Sequence, residues 1–571
     1  MVLPVGGQFT MRLGIDFGTT RTVVAAVDSG RYPVALFDTP QGLADFIPGL
    51  AFASNSGIEF GFDSSEDPST SQALRSIKRV LGSLAPDDPV PGLVNNTAAQ
   101  TLATDYLKCI RRMLVEQSNL DIDPQEPLEV MVAVPANSNT GQRFVTVEAF
   151  ARAGFQVIGM LNEPTAAAIE FAYRNLGALG KRTPKRYVVV YDLGGGTFDT
   201  SAVSLAERRF ELLHSEGIGQ LGGDDFDEVI LEYALELASI DGQSVGLSNR
   251  SRLLELCREA KESLTTSSRK LLIDLGRVLP QEMEILLEVD EIYRRCQPLI
   301  DRTLSLLEKV LGSLENYGID PNNPRELGAI YMVGGATSFP PVSRALRKLY
   351  RRKIQLAPQP HAATAVGLAI ACDPEAGIFV REAVTRHFGV WREGEAGRAK
   401  VFDPILLKDT AVPDHDRIRI ERSYRPAHRV GHLRFLECTD IDSYGRPAGD
   451  LTPWGDLYFP YDPVLADRTD LDRLPEARCG DLESEEIVET YEYGADGGVS
   501  ISIEIGPAVI ESGSQYRGEQ EARNLAEVTP LWPIPRLSAC PSPSCKGTIH
   551  RSEAHPGPVA LPPCCGPPTG R

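Results

Sequence analysis

Residues 191–199 read Tyr-Asp-Leu-Gly-Gly-Gly-Thr-Phe-Asp, and they decide the fold expected of this chain. The β-branched run at 188–190 predicts a buried strand before them, and residues 199–205 predict a second strand after them. The glycines at 194–196 then form the tip of a hairpin, whereas a Rossmann turn or a Walker loop would continue into a helix. Backbone amides in such a turn can bind phosphate. Because Asp192 and phosphate repel each other, we expect Mg²⁺ to lie between them, bound through water.

The same pattern occurs a second time near the N-terminus. Residues 12–20 contain a strand, Asp16, a glycine turn and two threonines, and residues 22–27 return as a strand. A single glycine-rich turn is equally well explained as an ordinary loop. Two separated copies with the same aspartate favour an internal duplication, with two lobes around one phosphate-binding cleft.

The composition limits the classes of partner. A chain of 571 residues is long enough for several domains. Its net charge of −20 and pI of about 5.0 disfavour nucleic acids and anionic membranes as partners. The sequence contains no run of about 20 apolar residues, so we expect no membrane span. Six scattered cysteines lack the spacing of a disulfide framework, so we expect a cytoplasmic protein with reduced thiols.

Two further stretches carry charged residues near predicted helix ends. Lys78 lies in an apolar, helix-like run, where it is either a solvated surface lysine or a functional group. Residues 130–134 predict a buried strand that Pro135 ends. Glu163 comes just before a predicted helix, where its charge either complements the helix dipole or holds metal-bound water.

Taken together, these motifs resemble the ATPase domain of the heat-shock protein 70 chaperones, the DnaK type. The matching stretches follow the family's order over roughly residues 11–373, and they are residues 16–20, 78–79, 134–135, 162–168, 192–199, 221–227 and 332–337. The resemblance implies an α/β fold, namely a duplicated, actin-like (ribonuclease H-like) ATPase domain with two lobes.

The resemblance also implies a role for each matched position. ATP or ADP is the implied ligand, with Mg²⁺ and also K⁺ as cations. The implied catalytic residues are Lys78, Glu163, Asp192, Thr197 and Asp199, with Asp16 and Asp192 holding Mg²⁺ through water. The implied nucleotide-binding residues are Gly18, Thr19, Thr20, Gly194, Gly195, Gly196, Gly223, Lys261, Thr265, Gly334 and Gly335. Pro135 and Arg143 match the positions through which the family relays the nucleotide state.

Three positions depart from the family on the side of the base. Arg258 stands where the family usually has an acidic residue on the ribose, and Ser338 stands where an arginine usually covers adenine. His361 replaces an aspartate, and we interpret it as a residue at a helix start. Loss of a stacked arginine costs roughly 1 kcal/mol. We therefore expect ATP to bind with altered affinity.

The predicted domain organisation has five parts. Residues 1–10 are a leader, 11–373 the ATPase domain, and 374–383 a linker of reduced apolar content. Residues 384–511 are predicted to form strands joined by turns, and the segments 417–422 and 498–505 alternate with period two. We interpret them as a β-rich, substrate-binding-like domain without a helical lid, although an unrelated β module would show the same pattern. Residues 512–571 are rich in proline and cysteine and are predicted to be a disordered tail.

These features imply an ATP-dependent chaperone whose β domain binds unfolded or client polypeptides. The resemblance adds a J-domain co-chaperone and a nucleotide-exchange factor as partners, and a monomeric state. The short linker leaves a second hypothesis open, a nucleotide-dependent interaction or scaffold protein without a client-folding cycle. A small-molecule kinase of the same fold superfamily is a third, and it would need a catalytic aspartate facing a sugar or acid pocket.

Overall fold

The structure is a computed structural model of the full chain. It describes residues 11–40, 42–54, 57–62, 72–81, 84, 87–91, 93, 96–136, 138–175, 187–205, 209–280, 283–321, 323, 326–381, 383–394, 399–412, 417–465, 468, 470–474, 486–494, 499–505, 508–512 and 549–550. The predicted leader and nearly all of the predicted tail lie outside these residues.

The described chain contains 27 strands and nine helices. The strands are β1 (Arg12–Phe17), β2 (Arg21–Ala26), β3 (Phe37–Thr39), β4 (Gly42–Ala44), β5 (Ile47–Pro48), β6 (Leu50–Ser54), β7 (Gly57–Phe60), β8 (Gln72–Arg75), β9 (Glu129–Val134), β10 (Gln156–Asn162), β11 (Tyr187–Leu193), β12 (Phe198–Ser204), β13 (Arg209–Ile218), β14 (Lys270–Asp274), β15 (Glu284–Glu288), β16 (Leu327–Val333), β17 (Ile354–Leu356), β18 (Phe379–Arg381), β19 (His387–Gly394), β20 (Ala399–Leu406), β21 (Ile418–Tyr424), β22 (Val430–Ile441), β23 (Pro447–Pro460), β24 (Ile487–Tyr493), β25 (Val499–Ile505), β26 (Ala508–Ser512) and β27 (Ile549–His550). The helices are α1 (Ile77–Leu81), α2 (Ala99–Glu116), α3 (Thr140–Arg152), α4 (Glu163–Arg174), α5 (Gly223–Ala238), α6 (Leu247–Glu262), α7 (Val289–Ser313), α8 (Pro340–Tyr350) and α9 (Ala363–Cys372).

Two mixed sheets form the centre of the first 380 residues. One has the strand order β10-β9-β1-β2-β5 and the other β17-β16-β11-β12-β13-β18. In each, an antiparallel hairpin (β1–β2 or β11–β12) lies beside two strands that run parallel to its first strand. All seven residues of β11 are buried, because a strand covered on both faces needs apolar side chains on both. The chain is thus a mixed α/β protein, as the sequence predicts.

Helices α4 and α9 connect the cores of the two sheets. One apolar cluster contains side chains of both helices together with Val23 of the first sheet and Val188 and Val190 of the second. Half of the ten residues of α9 are alanine or glycine, so its backbone packs closely against its neighbours. At Gly14, for instance, an added Cβ would lie 2.3 Å from the backbone nitrogen of Ala369. At Gly367 of α9 an added Cβ would lie 1.8 Å from the carbonyl oxygen of Ala166 in α4, so the position of α4 depends on tight packing against α9.

The C-terminal region is built almost entirely from strands. One sheet has the order β20-β19-β22-β23 and the other β26-β25-β24-β21-β27. Phe388, Phe435, Trp454 and Tyr491 lie in one apolar cluster that both sheets share. The period-two alternation at 417–422 corresponds to β21, whose partner strand is β24.

The segment between the two regions joins the edge of the second sheet. The predicted linker contains β18, which pairs in parallel with β13 at the edge of the second sheet. Further along the chain, the Lys408 ammonium lies 3.2 Å from Glu216 of β13. His214 of the same strand bonds to Asp409 at 3.0 Å. The first β hairpin of the C-terminal region is thereby fixed to the edge of the second sheet.

Two general features bear on the sequence-based expectations. None of the described helices is long and apolar enough to cross a membrane. The cysteines that the structure describes in detail are buried free thiols, namely Cys109, Cys257, Cys296, Cys372 and Cys438.

Candidate functional site

The tips of the two glycine-rich hairpins meet at one cavity with a volume of about 290 Å³. Fourteen of the residues proposed from the sequence line it, and they are Asp16, Gly18, Thr19, Thr20, Lys78, Glu163, Asp192, Gly194, Gly195, Thr197, Gly223, Lys261, Gly334 and Gly335. The lining thus comes from both sheets and from the starts of α4 and α5.

The second hairpin turn is tight and touches the first. The amide of Gly194 donates a hydrogen bond to the carbonyl of Thr197 at 3.0 Å, which closes the turn between β11 and β12. A Cβ on Gly195 would lie 2.3 Å from the Thr20 methyl of the first hairpin, so only glycine fits here. Backbone amides and threonine hydroxyls of both turns therefore share one end of the cavity, an arrangement suited to an anion.

Three acidic residues and one lysine surround this end. The Lys78 ammonium donates to Glu163 Oε1 at 2.8 Å. Burial, with the nearby charge of Glu163, raises the pKa of Asp16 to about 7, although Lys78 opposes the shift. Burial and the charges of Glu163, Asp16 and Asp199 raise the pKa of Asp192 well above its usual value. The carboxylates lie close enough to repel one another, and a cation among them would relieve this repulsion.

The carboxylates at this end of the cavity bear on whether a metal ion could bind here. Within the described ranges, no group of three His, Cys, Asp or Glu side chains could by itself hold one. The Asp16 Oδ1 atom, however, is buried and has no hydrogen-bond partner in that part of the chain. Carboxylate oxygens are the ligands that Mg²⁺ prefers, and Mg²⁺ usually keeps several waters. Asp16 and Asp192 therefore fit an ion that is held largely through water.

Glu163 differs slightly from its predicted position. It is the first residue of α4 rather than the residue before the helix. Its side chain is buried and points to Lys78 instead of remaining in solvent at the helix end. The favourable effect of a negative charge on the helix N-terminus still applies at this position.

Two of the proposed residues, Asp199 and Gly196, adjoin the cavity without lining it. Asp199 is buried in β12 directly opposite Asp192 of β11. A Cβ on Gly196 would lie 2.6 Å from the Thr19 methyl, so this glycine permits the contact between the two turns.

The start of α5 and the end of α6 line the cavity beside the second hairpin turn. The Lys261 ammonium lies 2.6 Å from Asp227 and donates to the carbonyl of Gly223 at 2.7 Å. Gly334 has a φ of 83°, a conformation that favours glycine. Thr265 is not brought here, because it lies beyond the end of α6 in an exposed turn, where its hydroxyl bonds to nearby serines.

The three residues that depart from the family all line the cavity. Arg258 forms an ion pair with Glu255, one turn earlier in α6. Ser338 is exposed in the turn before α8. His361 lies two residues before α9, near the predicted helix start, and its Nε2 atom is 2.9 Å from Asp45 Oδ2. No local pattern predicts this bond between His361 and Asp45.

The two proposed relay residues lie away from the cavity. Pro135 follows β9, and its carbonyl accepts from the amide of Ser138. Arg143 is buried in α3, where it donates to Asn162 at 2.6 Å and to the Thr385 hydroxyl at 3.4 Å. Arg143 thus links the residue before Glu163 with the first residues of the C-terminal β region.

A set of contacts near the cavity, which no sequence pattern predicts, joins its two sides. Arg75 and Ser76 bond to α5, and Arg21 lies 2.5 Å from Glu262 at the end of α6. Each pair joins elements associated with different sheets. No local pattern marks them, because the partners lie more than 140 residues apart.

Comparisons with known proteins identify the family. The family profile described as Hsp70 protein matches residues 101–385. The chain is 31% identical over 392 residues to the chaperone protein HscA homolog of Methylobacillus flagellatus, an alignment that covers 65% of this chain and 59% of that protein. The chain belongs to the heat-shock protein 70 family.

Two further relatives give the same result. The chaperone protein HscA homolog of Burkholderia multivorans is 29% identical over 398 residues, which is 66% of this chain and 60% of that protein. The chaperone protein HscA of Proteus mirabilis is 28% identical over 443 residues, or 72% of this chain and 66% of that protein. The chain therefore spans only about 60% of the length of the first of these relatives.

Proposed function

We propose that this chain is an ATP-hydrolysing chaperone of the heat-shock protein 70 type. The observation that carries the proposal is that two glycine-rich hairpins and the Lys78–Glu163 pair lie around one cavity. Phosphoryl transfer to water needs positioning and charge stabilisation more than covalent chemistry. This cavity offers both, in a chain whose family members carry the name chaperone.

We propose further that the two central sheets are the cores of two lobes of a duplicated, actin-like domain. The matching strand pattern of the two sheets supports this. On this proposal, residues 11–373 form the ATPase domain and 374–383 the linker. Residues 384–511 form the domain that binds client polypeptide, without a helical lid, and 512–571 the tail.

The proposed chemistry assigns the polar groups around the cavity. Lys78 orients the attacking water and offsets the negative charge that develops at the phosphate, while Glu163 holds the lysine in place. The amide of Gly195 and the hydroxyl of Thr197 bind phosphate oxygens, while the amide of Gly194 closes the turn that presents them. Asp16 and Asp192 would hold Mg²⁺ through water, and the bound ion would neutralise negative charge at the phosphates.

Asp199 and the remaining cavity residues complete the assignment. Asp199 belongs to the acidic shell around the ion, since its charge acts on Asp192. Lys261, Gly223, Gly334 and Gly335 hold the nucleoside side of ATP or ADP. Thr265 matches the family by position only, since its hydroxyl lies in the exposed turn described above and bonds to nearby serines.

Coupling to the C-terminal region is proposed to run through Arg143 and the linker strand. Arg143 contacts Asn162, which precedes Glu163, and reaches Thr385 at the start of the β region. A change at the phosphate end is thereby transmitted to the client-binding domain. Unfolded polypeptide, a J-domain co-chaperone and a nucleotide-exchange factor are the proposed partners. The buried free thiols support a cytoplasmic location.

The experiment that tests this function is ATP turnover by the full-length protein with and without an unfolded polypeptide. Lys78→Ala sets the background. A chaperone should show turnover above that background, and the polypeptide should raise it. If the polypeptide leaves the turnover rate unchanged, the result would support a nucleotide-dependent scaffold protein instead. The chaperone proposal would then be wrong.

A further inference from the structure

Arg75 and Ser76 directly precede α1, the short helix that carries Lys78. Arg75 is the last residue of β8, and α1 begins at Ile77. Both side chains bond across the cleft to the first turns of α5, a helix that begins in the cavity at Gly223. The backbone that places the lysine is therefore held from the opposite side of the cleft.

The contacts are short and shielded from solvent. The Arg75 guanidinium donates to Asp224 Oδ1 at 3.1 Å and to Asp227 Oδ2 at 3.2 Å. The Ser76 hydroxyl donates to Asp224 Oδ2 at 2.5 Å. The exposed fractions are 11% for the side chains of Arg75 and Asp224 and 0% for that of Asp227. Shielded, charged hydrogen bonds of this kind impose a defined geometry on both partners.

The backbone of Ser76 points to the same function. Its φ is +56°, in the left-handed region that a serine rarely adopts. Such strain persists only where surrounding contacts hold it, and it concentrates at functional sites. Here the hydroxyl bond to Asp224 holds the residue, and the turn at Ser76 directs α1 so that Lys78 reaches Glu163 at 2.8 Å.

We propose that Arg75 and Ser76 are positioning residues that place Lys78 for hydrolysis only when α5 lies against them. The inference rests on the proposed ATPase function. Closure of the cleft and placement of Lys78 then occur together. Opening the cleft breaks the bonds to Asp224 and Asp227 and releases the turn at Ser76. Hydrolysis then requires a closed cleft even when nucleotide is bound.

The test compares single-turnover ATP hydrolysis with nucleotide affinity in the full-length protein. Ser76→Ala removes the hydroxyl bond but keeps a residue with a Cβ, whereas Ser76→Asn tolerates the left-handed backbone and restores a donor toward Asp224. Arg12→Gln breaks an arginine–carboxylate pair of 2.7 Å with Glu129 that lies outside the cavity, and serves as the matched control.

We expect Ser76→Ala to lower the single-turnover rate by about 10- to 100-fold, as a misplaced catalytic group does. Nucleotide affinity should stay within about threefold of wild type, because the lost interaction acts in the transition state. Ser76→Asn should recover most of the rate, and Arg12→Gln should match wild type. Arg75→Gln should reproduce the loss, which provides a second variant if Ser76→Ala folds poorly.

Two results would overturn the inference while the proposed function stands. One is a wild-type rate in both Ser76→Ala and Arg75→Gln. The other is a parallel loss of rate and affinity that Ser76→Asn does not restore, which would indicate a merely structural role. If wild-type protein itself hydrolyses no ATP above the Lys78→Ala background, the proposed function fails, and the inference fails with it.

Discussion

The close contact between α9 and α4 at Gly367 allows a sharp prediction. A Cβ added at Gly367 would lie 1.8 Å from the carbonyl oxygen of Ala166 and 2.4 Å from its carbonyl carbon. Ordinary van der Waals contact begins at 3.4 Å. The two helices would therefore have to separate by about 1.6 Å in Gly367→Ala, since backbone atoms in a packed core have no rotamer that relieves a clash.

The cost should be large because both helices are buried at this point. Overpacking a core usually costs about 1–3 kcal/mol, and a backbone clash belongs at the upper end, so we expect about 3 kcal/mol of lost stability. Glu163 begins α4 and bonds to Lys78 at 2.8 Å. A displaced α4 should therefore also impair the proposed hydrolysis in the protein that remains folded.

Urea unfolding followed by circular dichroism measures this effect. Gly312→Ala in α7 is the matched control, since nothing lies within 4 Å of the added Cβ. Alanine is the better helix former, so the control should be unchanged or stabilised by up to about 1 kcal/mol. A Gly367→Ala protein that unfolds at the wild-type urea concentration would refute the packing argument.

Three further predictions concern charge and coupling. Asp192→Asn should make nucleotide binding less sensitive to EDTA than in wild type, because the carboxylate repels phosphate when Mg²⁺ is removed. If calorimetry shows that EDTA lowers the nucleotide affinity of the variant and of wild type equally, this prediction is wrong. Arg143→Ala should abolish the stimulation of ATP turnover by polypeptide without lowering basal turnover, because it breaks the contact with Thr385. Preserved stimulation would contradict the proposed coupling through Arg143. Burial and the charge of Lys408 lower the pKa of His387 to about 4. Between about pH 6.5 and pH 4, His387 therefore binds a proton in the unfolded chain but not in the folded chain. The free energy of unfolding should fall by about 1–2 kcal/mol as the pH is lowered through this range. His387→Asn keeps an acceptor for the Lys408 amide and should remove this loss in urea unfolding at both ends of the pH range; an unchanged loss would exclude His387 as its source.

Much of the fold was predictable from local pattern. The apolar run before Asp192 became β11, and the glycines after it became the tight turn of a hairpin, because strands and glycine turns are set by neighbouring residues. The alternating segment at 417–422 became β21 for the same reason, since period-two alternation places one face of a strand toward the core.

What the sequence could not provide is which distant residues meet. Arg75 looks like an ordinary charged residue at a strand end until the fold places it 3.1 Å from Asp224. His361 was interpreted as a residue at a helix start, and its bond to Asp45 depends on the packing of segments 316 residues apart. Such pairs follow from tertiary geometry, which no local propensity specifies.

The measurement that tests the central claim most directly is phosphate release from ATP by the wild-type protein in Mg²⁺, beside Lys78→Ala. The ammonium of Lys78, held at 2.8 Å from Glu163, is the group assigned to orient the attacking water. We expect wild-type protein to release phosphate at least about 100-fold faster than the variant, as for loss of one electrostatic catalytic group. Equal rates for the two proteins would contradict the assignment of this cavity as an ATPase site.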